Sequence, residues 1–399
     1  MGGVAKVSPG TVDLRLGCAV RHENTRTTMM KPAAQIGDDV HAIDTPALVV
    51  DLDALERNIA KMAAWARERG MRLRPHAKTH KSGHVAALQR QAGAVGVCVQ
   101  KLSEACALAD AGVDDIYISN EVLAPKKLVE LAQLARRVKL SVAVDSEAGI
   151  AALGQALAAA DARVDVYVEA DVGQGRCGAA PGDAGRLAQQ VAAHASMRFA
   201  GLQAYHGKAQ HLRSVAERQA AIQHAVAQAQ AAVNAIQAAG LECPLVTGAG
   251  SGSFPFEAAS GLYGELQAGS YVFMDRDYAD NDAIPGVPAF EHALFIKSQV
   301  ISRDAVHAVC DAGHKSHAID SGLPRVWGAD WEFANGGDEH GILLPGSSPL
   351  PELAATVWLV PGHCDPTVNL HDHYVVVRGG LSAGKVVDVW PVHARGCVR

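Results

Sequence analysis

From Thr45 onward, short apolar runs alternate with stretches of helical period. Ala47-Leu48-Val49-Val50 reads as a strand that ends at Asp51. Asp53 and Glu56 then form a capping-box pattern, and Leu55, Ile59, Met62 and Ala66 recur on one helical face until Gly70 stops the helix. Further strands are predicted over 72–78, 96–100, 115–120, 140–145, 164–171, 199–207, 245–250 and 265–273. The intervals carry helix signals of the same quality. Pro125 takes a first-turn position before Leu128, Leu131, Ala135 and Val138. Ser214 and Glu217 make a second capping box ahead of Ile222, Val226, Ala229, Val233 and Ile236.

Strand–helix alternation implies a parallel sheet, and eight strands after the first helix suit a (β/α)8 barrel of the TIM type. The rival, a doubly wound sheet, asks for a Gly-x-Gly-x-x-Gly turn after its first strand, and the chain has none there. After about Pro285 helical periodicity fades. Strands are predicted over 295–301, 306–311, 355–360, 374–378 and 385–390, with Gly and Pro turns between them. The expected organisation is a disordered tail over 1–42, a strand over 43–51 joining the β domain, a barrel over 52–284, and a mainly β C-terminal domain over 285–399.

At 399 residues the chain is long enough for about two domains. Aromatics make up only 5%, so Ala, Val and Leu must fill much of the core. The first forty residues are polar and irregular, without the charged-then-apolar pattern of a secretory signal. No run is apolar enough to cross a bilayer, and a net charge of −6 argues against nucleic acid as the partner. Eight cysteines are scattered with no Cys-x-x-Cys pair, which suggests neither a disulfide scaffold nor a zinc ribbon but small buried side chains in a reducing, cytoplasmic setting. A small-molecule substrate fits best, with no nucleic acid and no membrane.

Barrel enzymes carry their reactive groups at the C-terminal strand ends. Here those ends hold Lys78, Gln100, Asn120, Asp145, the run 171–176, Tyr205 with His206, and the turn 247–253. In Arg74-Pro75-His76-Ala77-Lys78-Thr79-His80-Lys81 the cationic neighbours of Lys78 could suit it to act as an imine-forming amine, but on spacing alone the plainer reading of a solvated basic loop leads. The glycine-rich Thr247-Gly248-Ala249-Gly250-Ser251-Gly252-Ser253 reads either as a phosphate cradle or as a flexible turn. It lacks the lysine of a nucleoside-triphosphate loop, and Gly269-Ser270 at the next strand end offers a second arm. His363 and Asp365, two apart on a segment read as extended, share a face and suit Mn²⁺, Mg²⁺ or Zn²⁺, with Cys364 turned away. Nearby His371 and His373 read equally well as a polar surface loop.

Together these segments resemble the D-threonine aldolase and D-3-hydroxyaspartate aldolase group of alanine-racemase-like pyridoxal-phosphate enzymes. The resemblance spans 44–399 and rests on Thr45-Pro46-Ala47-Leu48-Val49, the run 74–81, Ile118-Ser119-Asn120-Glu121, Asp171-Val172-Gly173-Gln174-Gly175-Arg176-Cys177-Gly178, Gly201-Leu202-Gln203-Ala204-Tyr205-His206-Gly207, the run 265–275 and Asp338-Glu339-His340-Gly341. It implies pyridoxal 5'-phosphate on Lys78, with Thr247, Gly248, Gly250, Ser251, Gly269 and Ser270 as the phosphate cup and Gln100, Arg176 and Tyr205 around the ring or substrate. It also implies a divalent metal on His363 and Asp365, His211 as the base, and a homodimer. The reaction implied is retro-aldol cleavage of a D-3-hydroxy amino acid. Two readings stand beside it: a dehydratase releasing a 2-oxo acid and ammonia, and a non-catalytic pyridoxal carrier. The dehydratases of this group more often place a cysteine where this chain has Asp365, which favours the aldolase.

Overall fold

The computed structural model describes Met1 and residues 31–399. Most of the expected tail therefore lies outside the described residues. Its last part does not match a disordered tail. Ala34, Val40 and Ile43 are buried against Val49, Val375, Val377 and Val386, and Lys297 donates to the carbonyls of His41 and Ile43.

The first strand, β1 (Ala47–Asp51), passes straight into α1 (Leu52–Glu68). The N-cap is Asp51, whose carboxylate accepts from the Ala54 amide, so the capping box expected at Asp53 and Glu56 does not form. Those two carboxylates instead hold Arg378 of the C-terminal sheet.

Eight parallel strands follow: β2 (Arg72–Leu73), β3 (Val97–Val99), β4 (Asp115–Ile118), β5 (Lys139–Val144), β6 (Val164–Glu169), β7 (Met197–Ala204), β8 (Val246–Gly248) and β9 (Glu265–Leu266). Their order is β2-β9-β8-β7-β6-β5-β4-β3. Between β2 and β3 the ring is closed by a His76–Cys98 bridge and by the bonds of Cys98 N to Pro75 O and Ala77 N to Cys98 O. This is a curled, TIM-like sheet with helices outside, where their apolar faces meet the strands. Strands are short because the chain leaves pairing near the mouth. The run expected as one strand over 265–273 breaks after Leu266, and Ser270–Val272 is a 3-10 turn.

The C-terminal region is the expected mainly β layer. It is a nine-stranded sheet built from β10 (Leu294–Arg303), β11 (Ala308–Cys310), β12 (Arg325–Trp327), β13 (Trp331–Asn335), β14 (Gly341–Pro345), β15 (Thr356–Val360), β16 (His373–Arg378) and β17 (Lys385–Pro391) together with β1. β1 lies between β10, antiparallel, and β16, parallel. The N-terminal strand thus ties the first barrel helix to the far end of the chain. A second core, with Leu48, Leu55, Trp65, Phe273, Ile296 and Tyr374, fills the junction between barrel and sheet.

Candidate active site

The C-terminal strand ends of the barrel open into a cavity of about 440 Å³. Lys78 follows β2, Gln100 follows β3, Arg176 lies in the loop after β6, and Tyr205 follows β7; all four line it. Gly250 and Ser251 after β8, and Gly269 and Ser270 after β9, line the opposite side, and His211 closes the rim from a turn beyond Gly207.

The two glycine turns form a cradle with no room for side chains. A Cβ on Gly250 would sit 2.4 Å from Gln210 Oε1, and one on Gly269 would sit 2.8 Å from Thr79 Oγ1 and 2.9 Å from His76 O. Ala249, fully buried, holds φ at +70°, a left-handed conformation that costs a non-glycine residue about 1–2 kcal/mol. Among the described residues the amides of Gly250, Ser251, Gly269 and Ser270 donate to no protein acceptor. Ser251 Oγ accepts from Tyr271 N at 2.9 Å and locks one arm to the other. Free amides converging on a cradle fit a phosphate. Thr247 and Gly248, expected in the cup, lie below it. Thr247 is buried inside the barrel, donates to Glu265 at 3.0 Å and accepts from Gln267 at 2.8 Å, while Gly248 is packed against Ala204 O.

Lys78 Nζ meets Asp365 Oδ2 across the junction of the two layers. Burial opposes the ammonium, but Asp365 outweighs it and pushes Lys78 up to about 12. Asp365, also opposed by burial, is held well below the usual carboxylate range by Lys78 and His363. Contrary to the extended reading, Cys364–Val368 is a short helix with His363 as its N-cap residue. The backbone turn still brings His363 Nε2 to 3.9 Å from Asp365 Oδ1, while Asp320 takes His363 Nδ1 at 2.7 Å. Cys364 is buried and its amide donates to Asp275. Asp365 Oδ1 is a buried oxygen without a hydrogen-bond partner among the described residues. His371 belongs elsewhere, its Nε2 bonded to Ser316 O.

The region 50–277 matches the family model described as alanine racemase, N-terminal domain, and 293–377 matches the putative serine dehydratase domain. D-threonine aldolase of Arthrobacter sp is 45% identical over 383 residues, covering 94% of this chain and 99% of that one. The 3-hydroxy-D-aspartate aldolase of Paracoccus denitrificans (strain Pd 1222) is 45% identical over 369 residues, covering 90% and 94%. The crystal structure of D-threonine aldolase from Filomicrobium marinum superposes with a TM-score of 0.89 at 48% identity, covering 93% of this chain and all of that one. This chain belongs to the alanine-racemase-like family, in its D-threonine aldolase group. It is a pyridoxal-phosphate-dependent lyase of the aldolase type, not a bare carrier.

The aldolase cavity also has residues that sequence spacing does not reveal. His76 is buried, with Gln100 Nε2 at 3.0 Å and Ser119 Oγ at 3.3 Å from its Nε2; burial and Lys78 lower its pKa well below the ordinary value, so it stays neutral. Asp277 is bonded to His211 Nδ1 at 2.5 Å and to Arg213 at 2.5 Å. It lies 66 residues from His211, beyond any local pattern. Gln174 accepts from Gly207 N at 2.6 Å and latches the Arg176 loop to the Tyr205 end. Arg176 lies 5.7 Å from the Tyr205 ring centroid and 4.0 Å from Glu169. Burial, reinforced by Glu121, raises the Glu169 carboxyl well above the usual carboxylate range, which weakens its hold on Arg176 and leaves that guanidinium for an anionic ligand.

Proposed function

We propose that this enzyme cleaves a D-3-hydroxy amino acid, threonine-like or 3-hydroxyaspartate, to glycine and an aldehyde, with Lys78 carrying pyridoxal 5'-phosphate and His363 and Asp365 holding a divalent metal. The observation that carries the reading is the meeting of Lys78, the Gly250–Gly269 cradle and His211 around one cavity, with Asp365, and His363 beside it, reaching Lys78 from the C-terminal region. The cradle suits the cofactor phosphate, and Arg176 suits a substrate carboxylate. When bound, pyridoxal supplies an electron sink for breaking Cα–Cβ.

The protein's own groups set up the rest. Asp277 accepts the Nδ1 proton of His211, which leaves Nε2 as the acceptor for the proton of the β-hydroxyl. Once Lys78 carries the cofactor its ammonium is no longer available to Asp365. A buried carboxylate then keeps only His363 beside it, and a divalent ion answers that deficit of positive charge. Two protein donors leave open positions for substrate, as befits a hard ion that keeps several waters and needs few protein ligands. The nitrogen–oxygen donor set suits Mn²⁺ or Mg²⁺, with Zn²⁺ also compatible. By the family resemblance the enzyme works as a homodimer, and its scattered cysteines without a Cys-x-x-Cys pair suit a reducing, cytoplasmic setting. Among the described residues no helix is long and apolar enough to cross a membrane.

Product analysis on a panel of D-3-hydroxy amino acids tests the reading. Glycine and an aldehyde are expected in equal amounts from at least one of them. A 2-oxo acid and ammonia in their place would make the enzyme a dehydratase.

A further inference from the structure

Gln210 precedes His211 in the rim turn and is fully buried, although it is a polar residue on a loop. Its amide is satisfied from both sides. Oε1 accepts from Gly252 N at 2.9 Å; Nε2 donates to Ser253 Oγ at 2.6 Å and to His206 O at 3.3 Å. Its own carbonyl accepts from Asn281 at 2.9 Å. The missing side chain at Gly250 is the space that Gln210 fills.

Behind it the chain of bonds has one direction. Because Gln210 Nε2 donates, Ser253 Oγ accepts there and passes its own proton to Glu257 Oε1 at 2.7 Å. Glu257 is buried, its Oε2 has no partner, and it has no ion-pair cation among the described residues. A lone buried carboxyl and a buried amide are costly features. Neither touches the space where the reaction occurs, yet between them they fasten the turn 250–253 to the turn 208–211.

We propose that Gln210 is a positioning residue that couples the phosphate cup to the base: an anion held by the Gly250 and Ser251 amides fixes the 250–253 turn, and Gln210 carries that order to His211. Ser253 and Glu257 orient the Gln210 amide so that it can serve both turns. The inference rests on the reading of His211 as base, and the two fail differently.

The test compares the wild-type holoenzyme with Gln210→Leu at saturating pyridoxal phosphate. Hydrogen exchange of the 207–213 amides is expected to quicken about tenfold or more as local opening becomes cheaper. With cofactor absorbance at the wild-type level, kcat should fall about 10–100-fold, part of what a general base contributes. Glu257→Leu should move both readouts the same way, and Glu257→Gln, which still accepts from Ser253, should restore most of the loss. Should Gln210→Leu not fold, Ser253→Ala, which keeps Gln210 but removes the hydroxyl that orients its Nε2, gives the same two readouts. Weakened cofactor binding with unchanged kcat and unchanged 207–213 exchange at saturation would overturn the coupling, leaving Gln210 as cup scaffolding. Full kcat in His211→Asn would instead remove the base reading on which it stands.

Discussion

Two lysines three residues apart show how environment separates one chemistry from another. Lys81 is buried, at φ +49°, with Nζ 2.6 Å from Glu104 and further bonds to the carbonyls of Ala394 and Cys397. Its ammonium is a structural cation that fastens the barrel to the chain end, and an amine so enclosed cannot reach a carbonyl compound. Lys78 has one partner, Asp365, and looks into the cavity. An amine nucleophile must shed its proton and its partner, and of these two lysines Lys78 is the one placed to do both. Borohydride reduction of the loaded enzyme should therefore fix pyridoxal on a peptide at Lys78, and Lys78→Ala should bind no covalent cofactor. A label at Lys81 would reverse the assignment.

At the scale of elements, the cup depends on backbone approach more than on side chains. Gly269→Ala adds a Cβ 2.8 Å from Thr79 Oγ1 and 2.9 Å from His76 O, in the segment that carries Lys78. Overpacking of this kind costs about 1–3 kcal/mol. The expected result is a cofactor dissociation constant raised about tenfold or more, with a lowered melting temperature, both measurable on the purified variant. The same segment gives the fold an acid limit. Burial lowers His80 to about 4, and its Nε2 has no partner among the described residues. Above pH 6.5 neither folded nor unfolded chain protonates it. As pH falls from about 6.5 toward 4, only the unfolded chain takes up the proton, so stability is lost by on the order of 3 kcal/mol. Asp365, with its depressed pKa, acts in the same direction at still lower pH. Urea midpoints should thus drop between pH 7 and pH 5, and His80→Asn should narrow the gap; an unchanged gap would show that another group sets it.

The βα alternation was legible in the sequence because the barrel strands from β3 to β7 are mostly apolar and the long helices between them bury apolar faces. Lys78, Gln100, Tyr205 and Gly250 could be placed at the mouth from those strand ends alone. What escaped depends on contacts distant in sequence. Thr247 was expected in the cup, but the inward alternation of β8 spends it on Glu265 and Gln267. β12, β13 and β14 are short and partly exposed, so no apolar alternation marked them. The helix at Cys364–Val368 begins without a side-chain cap, and its five residues are too few for a helical period to show.

Across the whole molecule, the proposed site is completed only where the two layers meet. The barrel supplies the cradle, Lys78 and His211, while His363 and Asp365 follow β15 of the C-terminal sheet. β1, paired with β10 and β16, and Arg378, held by Asp53 and Glu56, fasten that sheet to the first barrel helix. The Lys78–Asp365 contact therefore reports the relation between the layers as well as a charge pair. With the cofactor on Lys78, the carboxylate needs another cation, and the orphaned Oδ1 faces His363 Nε2. The metal on this reading touches neither the cradle nor the covalent link. A chelator should accordingly abolish turnover, by about 100-fold or more if the ion supplies several kcal/mol to the reaction, while the absorbance of bound cofactor persists. Added Mn²⁺ or Mg²⁺ should restore activity to the wild-type enzyme and fail to restore it to His363→Ala. If chelated enzyme keeps full activity, the His363–Asp365 pair serves only to hold the layers together. If the absorbance is lost along with turnover, the ion is part of the cofactor's own seat, and the division between barrel and sheet argued from these contacts is wrong.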